Sequence, residues 1–550
     1  MATRPNDEAE ERQLVLRLIK DECVQGELQA AICIRPRDRS SAGHILAILK
    51  GLEEGLEGYS KETQRGRAFI LAVDQNLFEG DVSRSLLGEL VAGWLINDHV
   101  RLYGLDFLWR NEVLFKKRKI LDSIGDLCLE YSQLASELLI PSSYFRLDYV
   151  QKNARIYPPS IILYENLVHE QDAAPGSGYS EAIRQLVHEG VLLSRDDYLS
   201  LDPDFVRNTQ HHQHRAINFL RMVDRTLGHY LPLKAIRAKP VLDLYKEISE
   251  YYAAGSIEGN ELLFEDPRRY LHLQTSSQRI TLDRERGIGD FIAQANLPGE
   301  TSNYRVERIG SLLNDVYLVR FAVNDREEKL IAKKYRNWTG LKWFPLAVWA
   351  LGTQDFSVLG KTRLGNEVAV SNMLSRQGIP APKVRHVAPS ELLLIREFIE
   401  GENQVRTVKN VLSGSDRHGE SSRLKIMGSL VAQAHYNRIT IGDCKPENFI
   451  FNPKQGMFVV DLEQGGYRGN AAWDLAELLY YSGHYASIVT EMENVATMVR
   501  SMVDGYLSSG GEPDIVRSIG GLRYTKVFSL FTLPLVIYTT VKTCEQEASR

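Results

Sequence analysis

The chain has 550 residues, which is too long for a single hydrophobic core and predicts three or four domains. Apolar residues make up 43% and charged residues 25%, as in ordinary globular proteins, and the formal net charge is −5. A chain with this slight negative charge has no overall attraction to nucleic acid or to an anionic membrane, so any such contact needs a local basic patch.

Cysteine usage and the apolar stretches indicate a cytoplasmic protein. The five cysteines are few and scattered, and no pair has the spacing of a zinc or redox motif, so we expect reduced thiols. The charged start, MATRPNDEAEERQ, differs from a signal peptide. The most apolar stretch, residues 527–541, is too short to span a bilayer and contains Pro534, so we expect no membrane span.

Residues 1–150 alternate strand-like runs with helix-like runs, which predicts an α/β or α+β domain. The expected strands are LQAAICIR, AFILAVD and RLYGLDFLW, and the expected helices are AGHILAILKGLEEGL, RSLLGELVAGWLI and KKRKILDSIGDLCLEYSQLASELL. The sequence shows no catalytic pattern here, and the role of this domain stays open.

Residues 151–254 predict a winged helix with a helical extension. PPSIILYENLVHE reads as a first helix, GSGYSEAIRQLVHEGVL as a turn and a second helix, and LLSRDDYLSLDPDFV as a hairpin. Such a unit can place its second helix in the major groove of DNA. Arg184 is the only basic residue on that helix and the tip of the hairpin is acidic, so we expect weak or no DNA binding. Residues 255–300 read as a linker.

The last predicted domain, residues 301–550, places charged residues at the ends of apolar strands. Asp443 and Asn448 stand five apart in ITIGDCKPENFIF, a spacing at which one loop presents a carboxylate to a substrate hydroxyl and an amide to a metal. Asp461 follows the apolar run FVV and is expected to bind a metal ion together with Asn448. Lys445 is placed to neutralise a transferred phosphoryl group.

A second set of candidates lies on the strands upstream. Ala332 and Lys334 are two apart in EKLIAKKYRNW and therefore share a strand face, one expected against adenine and the other towards phosphate. Lys333 points the opposite way in this register and is the alternative. Glu367, on the following helix, is the expected ion-pair partner of the lysine.

These motifs resemble those of the protein-kinase-like superfamily. DCKPEN resembles the catalytic loop of protein kinases and differs from it at one position. GNEVAVSNMLSRQGIPAP and AAWDLAELLYYSG are closer to the atypical branch, which includes the RIO kinases, the small kinase of the KEOPS complex and the aminoglycoside phosphotransferases. A winged helix ahead of the kinase is similar to one RIO subfamily.

The resemblance implies a bilobal fold over about residues 301–550, with ATP and Mg²⁺ bound between the lobes. It implies that Asp474 braces the catalytic loop through hydrogen bonds to its backbone. It also implies nucleotide contacts from the phosphate loop and from the hinge between the lobes, and these candidate residues are Gly310, Ser311, Glu397 and Phe398.

Three departures from the family pattern affect what we expect. Ile441 stands where kinases usually have His. The triplet Asp461-Leu462-Glu463 stands where kinases have the metal-binding triplet Asp-Phe-Gly. The phosphate loop has one glycine, Gly310, where ordinary kinases have three. Fewer backbone amides can then approach the phosphates closely. In one interpretation Ser311 or Asn314 supplies the missing phosphate contacts. Between Asp461 and the next helix there is almost no room for an activation loop.

The sequence therefore predicts an ATP- and magnesium-dependent phosphotransferase with an alcohol group as acceptor. A RIO- or KEOPS-like serine/threonine kinase or ATPase switch acting on a protein or ribonucleoprotein is the first interpretation, because a metabolite kinase needs no winged helix. A small-molecule kinase of the aminoglycoside-phosphotransferase type and a nucleotide-sensing pseudokinase scaffold are the alternatives.

Overall fold

The structure is a computed structural model with all side chains. It describes residues 5–23, 25–34, 41–63, 66–96, 99–156, 177–212, 267–275, 279–282, 304–310, 314–323, 326–336, 356–357, 359–415, 419–487, 490–529 and 532–550. The chain mixes helices with several small sheets and forms two compact units. The first unit comprises Met1–Leu127 and Ile140–Leu271, and the second comprises Cys128–Leu139 and His272–Arg550.

The first unit, together with the segment Cys128–Leu139 of the second unit, contains the early helices and strands. In chain order these are α1 Pro5–Glu22, β1 Glu27–Ile34, β2 Ser41–Lys50, β3 Leu56–Thr63, β4 Gly66–Asp74, α2 Gln75–Arg84, β5 Val100–Tyr103, α3 Leu105–Tyr131, β6 Leu138–Leu139, α4 Tyr144–Ile156, α5 Ser177–His188, β7 Leu192–Arg195, β8 Tyr198–Leu201 and α6 Pro203–His212. A 3₁₀ turn, Ser132–Glu137, joins α3 to β6.

A five-stranded sheet in the order β3-β4-β2-β1-β5 forms the core of the first unit. Strand β2 pairs in parallel with β4 and antiparallel with β1. The helix predicted from AGHILAILKGLEEGL is therefore wrong. Ile45 to Leu49 are all buried, because β2 is a central strand covered on both faces, and such a strand has the continuous apolar run that also fits a buried helix.

The other predictions for this unit have mixed outcomes. The strands expected from LQAAICIR and AFILAVD are confirmed as β1 and β4, whereas RLYGLDFLW forms the short strand β5 and then the start of α3. The hairpin and the helix before it are confirmed as β7–β8 and α5, with Asp196 at positive φ in the turn. The predicted first helix of the winged helix, residues 158–170, lies entirely outside the described residues, so the winged helix stays a prediction.

The second unit contains the remaining elements. They are β9 His272–Gln274, β10 Arg279–Thr281, β11 Tyr304–Gly310, β12 Asn314–Val323, β13 Arg326–Tyr335, α7 Gly360–Arg376, β14 Val384–Ala388, β15 Leu393–Glu397, β16 Glu402–Asn403, α8 Val405–Leu412, α9 Glu420–Tyr436, β17 Ile439–Thr440, β18 Phe449–Asn452, β19 Gly456–Val459, β20 Gly466–Tyr467, α10 Ala471–His484, α11 Met492–Ser508, α12 Pro513–Ser518, α13 Leu522–Phe528 and α14 Pro534–Glu547.

An antiparallel sheet in the order β11-β12-β13-β15-β14 precedes a group of helices in this unit. Helix α10 is buried along most of its length, and its Leu475, Leu478 and Leu479 belong to an extensive apolar core of this unit. Two short sheets, β16-β18-β19 and β17-β20, flank the loop 441–448. The segment 128–139 also belongs to this unit, because β6 pairs with β9, although the predicted boundaries place it in the first domain.

Two expectations about the whole chain can be compared with the described residues. All five cysteines fall among these residues; each is buried and none forms a disulfide. Within the described part of the chain, every helix is either too short or too polar to cross a lipid bilayer.

His44 generates a prediction about acid stability. Burial in β2 beside Phe69 lowers the pKa of His44 to about 4, from 6.5. The unfolded chain therefore binds more protons below pH 6.5, and the free energy of unfolding falls on the order of 2 kcal/mol between pH 7 and pH 5. Replacing His44 with Phe should remove this loss. Hydrogen exchange of the β2 amides at both pH values measures it, and an unchanged pH dependence in His44→Phe would contradict the assignment.

Candidate functional site

The ammonium group of Lys333 lies among three carboxylates in the second unit. Its Nζ is 2.7 Å from Glu367 Oε2 on α7 and 2.8 Å from Glu463 Oε2, and it also donates to Asp461 Oδ1. Only 3% of the Lys333 side chain is exposed. Because a buried charge without partners is strongly unfavourable, these contacts hold β13, α7 and the 461–463 segment together.

Lys334 and Ala332 do not have the positions that the sequence analysis gives them. Lys334 is 52% exposed, and its nearest carboxylate is Glu391, at 3.6 Å. Ala332 is fully buried in an apolar cluster with Leu330. The predicted ion pair of Lys334 with Glu367 is therefore wrong, because alternation along β13 directs Lys333 towards α7 and Lys334 away from it. Ile331, instead of Ala332, shares the face of Lys333.

Two arginines complete the charge balance of this cluster. Arg363, which is fully buried one turn before Glu367 on α7, donates to Glu463 Oε1 at 2.9 Å and to Asn314 Oδ1 at 2.8 Å. Arg396 lies 3.4 Å from Glu367 Oε1. Three cations therefore face three carboxylates.

Asn314 connects the start of β12 to the same cluster. Its Nδ2 donates to Glu463 Oε2 at 2.8 Å, and only 4% of the residue is exposed. Asn314 is a candidate phosphate-loop residue from the sequence, but its amide is hydrogen-bonded to Arg363 and Glu463. The carboxylate of Glu463 thus joins the start of β12 to the segment that carries Asp461.

The electrostatics of the cluster favour its charged form. Burial alone would lower the pKa of Lys333, but Asp461, Glu367 and Glu463 outweigh that effect and raise it. Burial would raise the pKa of Asp461, and Lys333 outweighs it, so that the pKa of this carboxyl is lowered. Asp461 also has a φ of 60°, a strained conformation for a residue other than glycine. Such strain persists only where the surrounding contacts overdetermine the backbone.

The loop 441–448 is held by Asp474, as the sequence analysis predicts. Asp474 Oδ2 accepts a hydrogen bond from the backbone N–H of Ile441 at 2.6 Å, and Oδ1 accepts one from Gly442 at 2.7 Å. His435 of α9 lies 3.1 Å from Asp474 Oδ2. This histidine places an imidazole beside the carboxylate that holds the loop.

Gly442 permits a close backbone approach between this loop and the segment after Asp461. Its φ is +80°, and a Cβ at this position would lie 2.0 Å from the carbonyl oxygen of Gln464. No side chain fits there without moving the backbone. The loop and the 461–466 segment are therefore packed backbone against backbone.

Asp443, Lys445 and Asn448 converge within the loop. Asn448 Nδ2 donates to Asp443 Oδ2 at 3.0 Å and to the Asp443 carbonyl oxygen at 2.8 Å. Lys445 forms an ion pair with Asp443 and lies 3.7 Å from Glu477 Oε1. Burial would lower the pKa of Lys445, but Asp443 and Glu477 outweigh it and raise it. The two ends of the predicted motif therefore meet in space.

Glu477 is a buried carboxylate that the sequence analysis does not single out. It follows Asp474 by three residues and so lies on the same side of α10. Its Oε2 accepts a hydrogen bond from the backbone N–H of Cys444 at 2.8 Å. Burial and the nearby charge of Asp443 raise its pKa well above the usual range. The spacing of acidic residues in WDLAELL is the signal by which the sequence reveals it.

The lysine cluster and the loop are neighbours. Val460, immediately before Asp461, donates its backbone N–H to the carbonyl oxygen of Asn448 at 2.8 Å. The charge of Lys445 also helps to lower the pKa of Asp461. The site therefore contains two lysines and the carboxylates of Asp443, Asp461 and Glu367 in one electrostatic environment.

Of the four candidate nucleotide contacts, the three that the structure describes, Gly310, Glu397 and Phe398, are not part of the lysine cluster or of the loop. Gly310 is the last residue of β11, and Ser311 lies outside the described residues. Glu397, at the end of β15, lies 3.3 Å from Arg385, and Phe398 has the ammonium of Lys329 5.8 Å from its ring centroid. Their proposed contacts with a nucleotide stay predictions.

The oxygen donors of this site fit a magnesium ion by type. The amide nitrogen of Asn448 donates to Asp443, so its amide oxygen can act as a metal ligand. The side chain of Asp461 is 39% exposed. Mg²⁺ prefers such oxygen ligands and usually keeps several waters. Glu367, Asp461 and Glu463 also lie close enough to share a cation, but Lys333 already occupies the space among them.

Similarity to known proteins does not decide what this site does. No protein-family model matches the chain, and neither does any curated protein. The case for a function therefore rests on the side chains that the site brings together.

The two adjacent lysines generate a stability prediction. Lys333→Met should lower the free energy of unfolding by about 3–5 kcal/mol, because it leaves three carboxylates without their shared cation. The matched change Lys334→Met should alter it by no more than about 0.5 kcal/mol, because that side chain is exposed. Thermal and urea unfolding of both variants tests this. Equal small effects would show that the carboxylates do not depend on Lys333.

Proposed function

We propose that the protein is an ATP- and magnesium-dependent phosphotransferase that acts on a hydroxyl group. The observation that carries this proposal is the convergence of Lys333, Glu367 and Asp461 beside a loop that holds Asp443, Lys445 and Asn448. Phosphoryl transfer requires fixed charges around the phosphates and little covalent chemistry from the protein, and this arrangement supplies such charges.

The order of elements supports a bilobal, protein-kinase-like arrangement for residues 301–550. A five-stranded antiparallel sheet with helix α7 after its third strand would form the small lobe. Helices α8 to α14 would form the large lobe, with the hinge after β15. In this arrangement the loop 441–448 follows a long helix, and the segment with Asp461 follows the β18–β19 hairpin.

Lys333 and Glu367 would orient the phosphates of ATP. In the present state Lys333 is saturated by three carboxylates, and a phosphate oxygen would replace one of them. Glu367 is the partner best placed to remain, because it holds Lys333 from the rigid helix α7. Gly310, Ser311, Ile331, Glu397 and Phe398 are proposed to contact the nucleotide around this pair.

Asp443 would orient the acceptor hydroxyl and accept its proton. Its carboxylate is 26% exposed, and the ion pair with Lys445 and the hydrogen bond from Asn448 fix its direction. Lys445 would balance the negative charge of the transferred group. Asn448 and Asp461 would hold Mg²⁺, which when bound supplies charge neutralisation at the phosphates.

The acceptor is proposed to be a protein or a ribonucleoprotein. The additional folded unit, with its helix α5 and hairpin β7–β8, provides surface that a metabolite kinase does not need. Arg184 of α5 is paired with Glu181, which supports weak or no DNA binding by this helix. Action as an ATPase switch on such a partner belongs to the same proposal.

A small-molecule acceptor is the second candidate. Only residues 462–470 separate Asp461 from the start of α10, which leaves little chain for a platform that docks a peptide. A pseudokinase scaffold is less well supported, since each charged group that phosphoryl transfer requires is present in the site.

Variants of the loop separate catalysis from folding. Asp443→Asn should leave the melting temperature and ATP affinity nearly unchanged while phosphoryl transfer falls by about 10²–10⁴-fold, because the amide no longer accepts the proton. Asn448→Ala should instead weaken magnesium-dependent ATP binding, because it removes a metal ligand. The assay follows label from [γ-³²P]ATP to water, to the protein itself, to proteins and ribonucleoprotein of a cell extract, and to aminoglycosides and choline.

The control for this series is Asp504→Asn, which changes an exposed carboxylate on α11 in the same unit. It should match wild type in every measurement. Wild-type turnover that Asp443→Asn leaves intact would refute the mechanism. Nucleotide binding with no turnover on any acceptor class would favour the scaffold.

Magnesium dependence provides an independent prediction. Wild-type protein should bind ATP more tightly with magnesium than after its removal by chelation, and Asp461→Ala should abolish that difference. Calorimetric titration with and without magnesium measures both affinities. Equal wild-type affinities under the two conditions would argue strongly against a metal site at Asp461.

A further inference from the structure

The helix that carries Glu367 is held from behind by the segment 128–139. Glu137 of this segment is 4% exposed, and its two carboxylate oxygens face the guanidinium of Arg376 at 2.9 and 2.5 Å. Asn372 also donates to Glu137 Oε2, at 3.0 Å. A two-point contact between a carboxylate and a guanidinium fixes orientation as well as distance.

The same segment contacts α7 near its beginning. Lys361 lies 3.6 Å from Glu130 and places its ammonium 5.1 Å from the ring centroid of Tyr131. At Gly365 an added Cβ would lie 3.1 Å from the carbonyl oxygen of Tyr131, so the glycine allows the backbones to approach closely. The contacts therefore extend from Lys361 to Arg376, roughly four turns of the helix.

These contacts lie on one face of α7, and Glu367 lies on another. Positions 361, 365, 372 and 376 fall within roughly 60° of one another at 100° per residue, whereas position 367 lies roughly 150° from their centre. The segment thus presses on the side of the helix that faces away from Lys333. A shift of α7 towards the segment would separate Glu367 from Lys333.

The segment is itself fixed within the second unit. Leu138 and Leu139, immediately after Glu137, form β6 and pair with Leu273 and His272 of β9. This pairing attaches the residues next to Glu137 to β9, an element separate from α7. The buried carboxylate is therefore an anchor for the helix.

We propose that Glu137 is a positioning residue that holds α7 in the register at which Glu367 meets Lys333. This inference rests on the proposed function insofar as that ion pair serves ATP. The working site then requires residues 128–139 in addition to residues 301–550, and any change that withdraws this segment weakens the site. Through its contact with α7, Glu137 would affect the orientation of the phosphates without contacting ATP or the acceptor.

The test compares Glu137→Gln and Arg376→Ala with Asp504→Ala in the full-length chain. Arg376 is 43% exposed, so its replacement is expected to leave the protein folded even if Glu137→Gln does not. Hydrogen exchange of the α7 amides is measured without nucleotide. We expect exchange about tenfold faster in both variants than in Asp504→Ala, as loss of a hydrogen bond to a charged group implies.

A second readout reports on the ion pair itself. Reductive methylation of Lys333, followed by mass spectrometry with Lys334 as the internal reference, should accelerate in the two variants, because a loosened Glu367 exposes the ammonium group. Arg376→Lys should restore part of the protection, since it keeps a cation beside Glu137 but not the two-point contact. A purely structural loss of stability would accelerate exchange throughout the unit and would not be rescued.

ATP affinity then links the inference to the proposed function. Where wild type binds magnesium-ATP, both variants should bind it about tenfold more weakly, in line with the lost anchoring contact. Unchanged α7 exchange, or unchanged Lys333 methylation with α7 loosened, would overturn the positioning role. If wild type binds no ATP, the proposed function fails, and the exchange and methylation results alone decide whether Glu137 positions the helix.

Discussion

The buried ammonium of Lys333 is the constraint on which the site depends. Removing this charge from water is unfavourable unless carboxylates replace the lost hydration, and here Glu367, Asp461 and Glu463 do so from separate elements. Those carboxylates would repel one another without the lysine, and two arginines offset the rest of their charge. Strand β13, helix α7 and the 461–463 segment are therefore fixed together by one requirement, that no charge remain buried alone.

A second buried group organises the loop on the other side of the site. The two carboxylate oxygens of Asp474 accept hydrogen bonds from the backbone N–H groups of Ile441 and Gly442. Glu477 accepts one from the backbone N–H of Cys444. Helix α10, which is otherwise part of an apolar core, thus presents two acidic side chains to the backbone N–H groups at the start of the loop. With the start of the loop held by α10, the side chain of Asp443 pairs with Lys445 and Asn448 and stays 26% exposed. The fold and the chemistry are coupled because the same helix serves the core and the loop.

Much of the candidate site could be predicted from the sequence because the signals are local. Asp443, Lys445 and Asn448 lie within six residues, so one turn of chain brings them together, and the structure shows their contacts. The bracing role of Asp474 is implied by the resemblance of AAWDLAELLYYSG to a helix of the kinase-like superfamily, and its hydrogen bonds to Ile441 and Gly442 agree with it. The helix expected at AGHILAILKGLEEGL was wrong because a fully buried central strand lacks the alternation that identifies strands.

The sequence by itself determined which charged residues the site contains and which of them are neighbours along the chain. Only the tertiary structure decided between Lys333 and Lys334, because the two differ by one position on β13 and the sheet register sends one inwards and the other to solvent. It also decided the partners of Glu463 and the contact of Glu137 with α7, which joins residues 239 positions apart. Such long-range pairs leave no periodic trace in a sequence, since they are selected by the packing of separate elements and not by local backbone preference.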